Sequence, residues 1–117
     1  MQTSYEKGKL GEAIATRVLQ NLGYVILAKR LRTPYGEIDI LATINDTVVA
    51  VEVKMRRSLG QARECILLKQ RSRIYNALLF VISERNIKFE NYRIDVICLD
   101  HTGGYEHIKN AFSDEAF

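Results

Sequence analysis

The segment "EIDILATINDTVVAVEVK", residues 37–54, constrains the fold of this chain more than any other part of it. Two runs rich in β-branched residues, 37–43 and 47–54, are joined by the short connection "IND". This composition and spacing predict two strands of a hairpin. Alternation in the first run predicts that Ile38 and Ile40 share one face, while the other face carries Glu37, Asp39 and Leu41.

The N-terminal part of the chain has the pattern of an amphipathic helix. Thr3 and Glu6 have the spacing of a capping box, which marks a helix start, and Gly23 is suited to the end. Gly8 and Gly11 weaken such a helix, so we expect them to allow a close approach of neighbouring backbone. Between the ends, apolar residues recur at every fourth position: Leu10, Ile14, Val18 and Leu22.

The rest of the chain predicts further strands and one more helix. Strands are expected at 24–32 and 92–100, and a helical pattern begins at about Ala62. The tail "YEHIKNAF", residues 105–112, is expected to form a last strand or an edge segment. The predicted order α-β-β-β-α-β indicates an α/β fold with a mixed central sheet flanked by helices.

Length and hydropathy set the expected domain organisation and location. A chain of 117 residues fits one domain, which we expect to span 1–117. No apolar run reaches the ~18 residues of a membrane span. The N-terminal segment also lacks the apolar block of a secretory signal. We therefore expect a cytoplasmic protein without a membrane partner.

Charged residues interrupt both strands of the predicted hairpin. Glu37 and Asp39 share a face of the first strand, and Glu52 and Lys54 share a face of the second. Pairing of the strands would bring these carboxylates together at one place on the sheet. Two or three convergent carboxylate oxygens are ligands for Mg²⁺ or Mn²⁺, whereas the same groups without a metal would repel one another.

Basic residues crowd into the window that begins at Lys54. The window 54–73 holds the single acid Glu64, and Arg32 lies near the end of an earlier predicted strand. Such a cluster is typical of a surface that contacts the phosphates of a nucleic acid. The predicted nucleic-acid-binding residues are Arg32, Arg56, Arg57, Arg63, Lys69, Arg71 and Arg73.

Each of these patterns also has a structural explanation. A Glu-x-Lys pair on a strand is common on solvated faces, and a basic helix face is often plain surface. Acids on adjacent strands followed directly by a basic helix are together less common, and this conjunction favours a site. Elsewhere, we expect a structural ion pair between Asp95 and Arg93 or a helix arginine, and we expect His101 and His107 at the surface.

The order of these motifs resembles a known family. "GEID" followed by "VEVK", after a helix with "KGKLGEAIA", is similar to the YraN-like endonuclease family of the PD-(D/E)XK nuclease superfamily. The likeness extends to "YGEIDILA", "VAVEVKMR", "LKQ", "YRIDVI" and "HIKNAF". It implies a restriction-endonuclease-like fold. Ile38 stands where many members of the superfamily carry proline.

The resemblance assigns expected roles to individual residues. It makes Asp39 and Glu52 metal-binding carboxylates and Lys54 the catalytic lysine. Glu12 matches a helical glutamate that completes the acidic cluster in related resolvases; a solvated helix acid is its alternative. The supporting residues are expected to be Glu37 and Gln70.

The predicted activity is Mg²⁺- or Mn²⁺-dependent hydrolysis of DNA phosphodiesters. A chain this short leaves little room for a separate sequence-reading domain. We therefore expect structure-selective or weakly specific cleavage, with branched or flap DNA as partners, as in the Holliday-junction resolvases that share the core motif. A two-fold dimer would suit a duplex substrate. The alternative is a non-catalytic module that binds nucleic acid or another partner on a nuclease fold.

Overall fold

The computed structural model describes residues 3–67 and 70–112. The bounds of the elements agree closely with the predicted runs at the hairpin and at the opening helix. The helices are α1 (Ser4–Asn21), α2 (Leu59–Glu64) and α3 (Arg71–Glu84). The strands are β1 (Val25–Thr33), β2 (Gly36–Ile44), β3 (Thr47–Met55), β4 (Asn91–Leu99) and β5 (Tyr105–Ile108).

The strands form one mixed sheet with the order β1-β2-β3-β4-β5. Neighbours are antiparallel except for β3 and β4, which pair in parallel. A parallel pair needs a crossover connection, and α2 and α3 supply it. The predicted α/β fold class is confirmed, and the arrangement is compatible with a restriction-endonuclease-like α-β-β-β-α-β core. The tail forms β5 at the edge, as predicted.

Helices cover both faces of the sheet. On one face α3 and α2 pack over a core that includes Leu41, Ala50, Leu78 and Val96. On the other face α1 packs over a core that includes Leu19, Ile40, Val51, Ile97 and Leu99. Within the described residues, no helix is both long and apolar enough to cross a membrane.

The predicted alternation of β2 is wrong at one point. Ile38 packs in the core beneath α3, whereas Ile40 packs in the core beneath α1, so the two isoleucines lie on opposite faces. The ladder between β2 and β3 runs from Ile44–Thr47 to Ile40–Val51. Beyond it, the Asp39 carboxylate accepts the Val53 N–H at 2.9 Å. The regular alternation of β2 is therefore interrupted at Asp39, where a side chain instead of the backbone accepts the N–H of β3.

The single helix predicted from about Ala62 is also wrong, because the chain forms two helices in this region. The first begins earlier, at Leu59, since the hydroxyl of Ser58 accepts the Gln61 N–H at 3.2 Å. Serine is a strong N-cap residue, which moves the start of the helix ahead of the apolar pattern. The Thr3 cap of α1 is confirmed by its bond from the Glu6 N–H at 3.1 Å.

Candidate functional site

The close packing of α1 on β3 brings the first acid to the site. A Cβ added at Gly11 would lie 3.5 Å from Cβ of Met55 and 3.6 Å from a methyl group of Val53. These are ordinary van der Waals distances to side-chain atoms, so a Cβ would fit, and the predicted close approach of neighbouring backbone is wrong for Gly11. Glu12, the next residue, lies at this contact between helix and strand and is buried, with 8% of its surface exposed.

Three carboxyl groups meet where β2 leaves the ladder. Glu12 from α1 and Glu37 and Asp39 from β2 each offer an oxygen, and these oxygens all lie within 4.8 Å of one another. We call these three residues the acidic cluster. Like charges this close destabilise the ionised state, so the cluster favours either protonation or a cation.

Glu12 has a cationic partner that the sequence did not indicate. Nε of Arg30 donates to its carboxylate at 2.5 Å. Burial still raises the pKa of Glu12 above its ordinary value, although the bond from Arg30 opposes the shift. Arg30 has a φ of 49° and lies between the Lys29–Ile40 and Leu31–Ile38 pairs. The unusual backbone conformation of Arg30 on β1 thus lies opposite Asp39, where the alternation of β2 is interrupted.

Asp39 joins the acidic cluster to β3. Burial raises its pKa, while the Val53 N–H and the charge of Lys54 act in the opposite direction. The carboxyl groups of Asp39 and Glu52 also act on each other: their interaction lowers the pKa of Asp39 and raises that of Glu52. Ionising both of two adjacent carboxyl groups is unfavourable because the charges repel, so one of them tends to keep a proton.

Glu52 is the least satisfied acid of the site. Its Oε1 atom is buried and has no hydrogen-bond partner among the described residues. Burial, followed by the nearby charge of Asp39, raises the pKa of Glu52 to about 8. A buried carboxyl oxygen without a donor is rare in folded proteins and asks for an explanation, which a bound ion can supply.

Arg73 supports Glu52 from α3. Its Nη2 atom lies 3.8 Å from Oε2 of Glu52, and its Nη1 atom donates to the backbone carbonyl of Glu37 at 3.3 Å. A Cβ at Gly36 would lie only 2.6 Å from Nη1, so glycine leaves the space that the guanidinium occupies. The sequence reasoning placed Arg73 on a nucleic-acid surface; the structure brings it to the acids.

Lys54 lies two residues after Glu52 on β3 and on the same face of the strand. Its positive charge lowers the pKa of both Asp39 and Glu52, which indicates that the ammonium group is near both carboxyls. The acids also border open space: a cavity of about 260 Å³ is lined by Glu12, Asp39, Val53 and Met55, among others. A small ligand can therefore reach the acidic cluster.

The donor set fits a divalent cation of the magnesium type. Carboxylate oxygens are hard ligands, and Mg²⁺ is held in proteins by one or two carboxylates together with water. The unpartnered Oε1 of Glu52 and the raised pKa values of Glu12 and Asp39 are what a cation would relieve. The cluster is thus suited to Mg²⁺ or Mn²⁺.

The predicted basic residues have different surroundings. Arg56 and Arg57 are exposed at the end of β3, and Arg32 is exposed on β1. Arg63 forms an ion pair with Glu106 at 3.0 Å, and Arg71 lies over the ring of Tyr75. Gln70 is the N-cap residue of α3, without a side-chain capping bond. Lys69 lies outside the described residues. Binding of nucleic acid by this set stays a prediction.

A second buried carboxylate lies away from the acidic cluster. Asp95 accepts bonds from Arg93, Tyr24 and His107, and from the Asn110 N–H. The predicted ion pair with Arg93 is confirmed. The prediction that His107 lies at the surface is wrong, because its side chain is 8% exposed and bonds Asp95 at 2.8 Å. His101 is exposed, as predicted.

Comparison with known proteins identifies relatives along nearly the whole chain. The profile of the uncharacterised protein family UPF0102 matches residues 11–99. A UPF0102 protein of Azorhizobium caulinodans is 41% identical over 115 residues, which cover 97% of this chain and 88% of the relative. One from Sulfurihydrogenibium is 39% identical, covering 94% and 96%, and one from Persephonella marina is 40% identical, covering 93% and 95%.

Proposed function

This chain belongs to the uncharacterised protein family UPF0102, and from its candidate site we propose divalent-metal-dependent hydrolysis of phosphodiester bonds in DNA. One observation carries the proposal. Several carboxyl groups, of which Glu12 is buried and Glu52 is buried with an unpartnered oxygen, lie beside a lysine where the ladder between two strands ends. The order of the motifs, which resembles PD-(D/E)XK nucleases, supports the same activity.

The proposed metal ligands come from three elements. Glu12 on α1, Asp39 on β2 and Glu52 on β3 would hold Mg²⁺ or Mn²⁺, and Glu37 would support them directly or through water. When bound, the cation would polarise a phosphoryl oxygen and lower the pKa of a bound water molecule. Arg30 and Arg73 position Glu12 and Glu52 respectively, because each guanidinium contacts one of these carboxylates.

Lys54 supplies the positive charge that hydrolysis of a phosphodiester requires. Negative charge grows on the phosphoryl oxygens in the transition state, and a fixed ammonium group nearby stabilises it. The charge of Lys54 lowers the pKa of both Asp39 and Glu52, which supports its assignment to the reacting end of the site. Its second proposed role is to orient the attacking water.

Structure-selective or weakly specific cleavage of branched or flap DNA is the proposed substrate preference. The exposed cations Arg56 and Arg57 follow Lys54 directly and would hold the backbone phosphates. Contacts to phosphates position a nucleic acid without reading its bases. A two-fold dimer remains part of the proposal, since it would present one site to each strand of a duplex.

A cleavage assay tests the proposal. Wild-type protein is incubated with branched, flap and duplex DNA while Mg²⁺ or Mn²⁺ is titrated, in parallel with Asp39→Ala and Lys54→Ala. We expect cleavage by the wild type and a loss of at least ~100-fold in each variant, since each removes a metal ligand or a charge-stabilising group. The matched controls Glu84→Gln and Lys88→Ala alter exposed residues away from the site and should cut normally.

The rival function is a non-catalytic module that binds nucleic acid or another partner. It predicts binding without cleavage under every metal condition, and binding that survives both Asp39→Ala and Lys54→Ala. That outcome would refute the nuclease proposal. The acids favour catalysis, because a module that only binds an anion gains nothing from several buried carboxyls beside its cations.

A further inference from the structure

A second cavity adjoins the acidic cluster and has the opposite charge. The cavity beside Glu12 and Asp39, which we call the acidic cavity, is also lined by Lys7, Met55 and Arg56. A neighbouring cavity of about 430 Å³, the basic cavity, shares these last three residues. Among the described residues, its lining is Lys7, Met55, Arg56, Arg57, Gln61 and His101.

The lining of the basic cavity comes from four separate parts of the fold. Lys7 lies on α1, Arg57 follows β3, Gln61 lies on α2, and His101 lies in the turn between β4 and β5. Sequence reasoning singled out Arg56 and Arg57 but not Lys7 or Gln61, which are distant along the chain. Their convergence is therefore a property of the folded molecule. No carboxylate of residues 3–67 or 70–112 belongs to the lining of this cavity.

The backbone around the basic cavity is well supported. The Arg56 N–H donates to the Leu99 carbonyl at 3.0 Å, which extends the pairing of β3 and β4 by one residue. The turn that carries His101 is closed by Asp100, whose Oδ1 accepts from the N–H groups of Thr102 and Gly104, each at 2.8 Å. Asp100 thus directs its carboxylate into the turn, and an anion in the cavity meets the cations instead.

The two cavities favour a single ligand with repeated negative charges. A lone phosphate in the acidic cavity would be repelled unless a divalent cation intervened, whereas the basic cavity attracts an anion directly. Because the cavities share walls, one extended polyanion can enter both. From Val53 in the first cavity to Met55, which lines both cavities, is about 7 Å of strand, so a nucleic-acid strand of a few nucleotides can reach from one cavity into the other.

We propose that the basic cavity binds a backbone phosphate of the same nucleic-acid strand whose neighbouring phosphodiester lies at the acidic cluster. Lys7 and Arg57 provide the charge, and Gln61 and His101 provide hydrogen-bonding groups of the lining. The inference rests on the proposed function, because it takes its strand from the cleavage site. It assigns the direction in which the strand leaves that site: across the end of β3, between α1 and α2.

Binding without cleavage tests this assignment. A fluorescently labelled single-stranded oligonucleotide and a labelled duplex are titrated in chelator, so that no hydrolysis occurs, and anisotropy is measured at several salt concentrations. The test variant is the double substitution Lys7→Gln with Arg57→Gln. The control is Arg17→Gln with Arg85→Gln, which removes the same formal charge from exposed positions outside the cavity.

We expect the test variant to bind at least about tenfold more weakly at low salt. Its salt slope for the single strand should fall by about 1.4, which corresponds to two lost phosphate contacts at ~0.7 each. The control should lose less than about twofold. The single substitution His101→Gln keeps every lysine and arginine of the cavity, and it should still weaken binding. Its thermal unfolding midpoint should equal that of the wild type.

Three outcomes of the oligonucleotide titrations would overturn the inference. They are equal losses in the test and control variants, no loss in either, and no oligonucleotide binding by the wild type. A competition with inorganic phosphate separates a strand from a free anion: an oligonucleotide that fails to displace bound phosphate also contradicts the assignment. Failure of the nuclease proposal is distinct, since it appears as absent cleavage with Mg²⁺ while binding in chelator still depends on Lys7 and Arg57.

Discussion

Glu52 and Asp95 are buried acids on neighbouring strands, yet they lie in opposite electrostatic environments. Asp95 pairs with Val51, which is the residue before Glu52. Asp95 and Glu52 therefore face opposite sides of the sheet. Asp95 is fully buried and bonded by Arg93, Tyr24, His107 and a backbone N–H. Glu52 has a buried oxygen without a partner and a distant ion pair at 3.8 Å.

The pKa values follow this difference. Burial alone would raise the pKa of Asp95, but bonds from His107 and Arg93 leave it below its ordinary value. For Glu52, burial and the charge of Asp39 prevail and raise the pKa to about 8. Burial therefore does not distinguish a structural acid from a functional one. The number of hydrogen-bond donors distinguishes the two acids. Both oxygens of Asp95 accept hydrogen bonds, whereas one oxygen of Glu52 has no donor among the described residues and can bind a cation.

The largest expected effect is a difference in the free energy of unfolding between substitutions of Asp95 and of Glu52. Asp95→Asn removes the charge that Arg93 and His107 surround, and we expect it to lower the free energy of unfolding by about 3 kcal/mol or more. Glu52→Gln should change it by less than about 1 kcal/mol at pH 7 without metal, because the carboxyl is already largely protonated. Urea unfolding measures both. Equal losses would contradict the distinction.

Added Mg²⁺ should act through the acidic cluster and Glu52. At a concentration 100 times its dissociation constant, a ligand that binds only the folded state stabilises it by about 2.7 kcal/mol. We expect such a gain for the wild type, no gain for Glu52→Gln or Asp39→Asn, and a normal gain for the exposed control Glu84→Gln. Thermal unfolding with and without Mg²⁺ checks this. An equal gain in all variants would place the metal elsewhere.

The pH dependence of stability should have opposite signs for the two acids. The raised pKa of Glu52 means that the folded state holds its proton more tightly, so its contribution to stability falls as pH rises from 4.5 to about 8. The lowered pKa of Asp95 makes its contribution present above pH 3.8 and lost as pH falls through the folded-state value.

Unfolding of the metal-free protein measures the first of these effects. We expect the stability of the wild type to fall by at least about 1.4 kcal/mol across that window, the equivalent of one pKa unit. Glu52→Gln should reduce the fall. The part that remains comes from Glu12 and Asp39, whose pKa values burial also raises. A variant with the same fall as the wild type would show that Glu52 does not titrate in this range.

The smallest expected effect concerns the support of Glu52 by Arg73. Gly36→Ala imposes strain at a φ of 121° and also pushes on the guanidinium of Arg73. Gly103→Ala is the matched control, because its φ is 94° but nothing lies within 4 Å of an added Cβ. We expect Gly36→Ala to cost about 1 kcal/mol more than the control. Equal costs would show that Arg73 can move without loss.

Local patterns in the chain account for most of the elements and for part of the site. The alternation around "VEVK" predicted β3 and the shared face of Glu52 and Lys54, and the Thr3 cap predicted the start of α1. Such features depend on neighbours a few residues apart, which is why the sequence reveals them. The Ser58 cap was equally local, and reading it would have placed the start of α2 correctly.

Contacts between distant residues could not be predicted in the same way. Arg30 is one of many cations in the sequence, and only the backbone conformation on β1 directs it to Glu12. His107 looked like a surface histidine because its partner, Asp95, lies on another strand. Ile38 and Ile40 lie on opposite faces where the ladder between β2 and β3 ends and the Asp39 carboxylate accepts the Val53 N–H, which interrupts the period that the prediction assumed.

The sequence by itself determined the sheet, its covering helices and the identity of the acids, because hydrophobic period and residue chemistry are written along the chain. Tertiary structure alone decided which acids were satisfied and which were left open. That outcome depends on donors brought from β1, α3, β4 and β5, and on where the ladder between β2 and β3 ends. The free energy of a buried charge is set by the groups that surround it in space, and their distance along the chain does not enter.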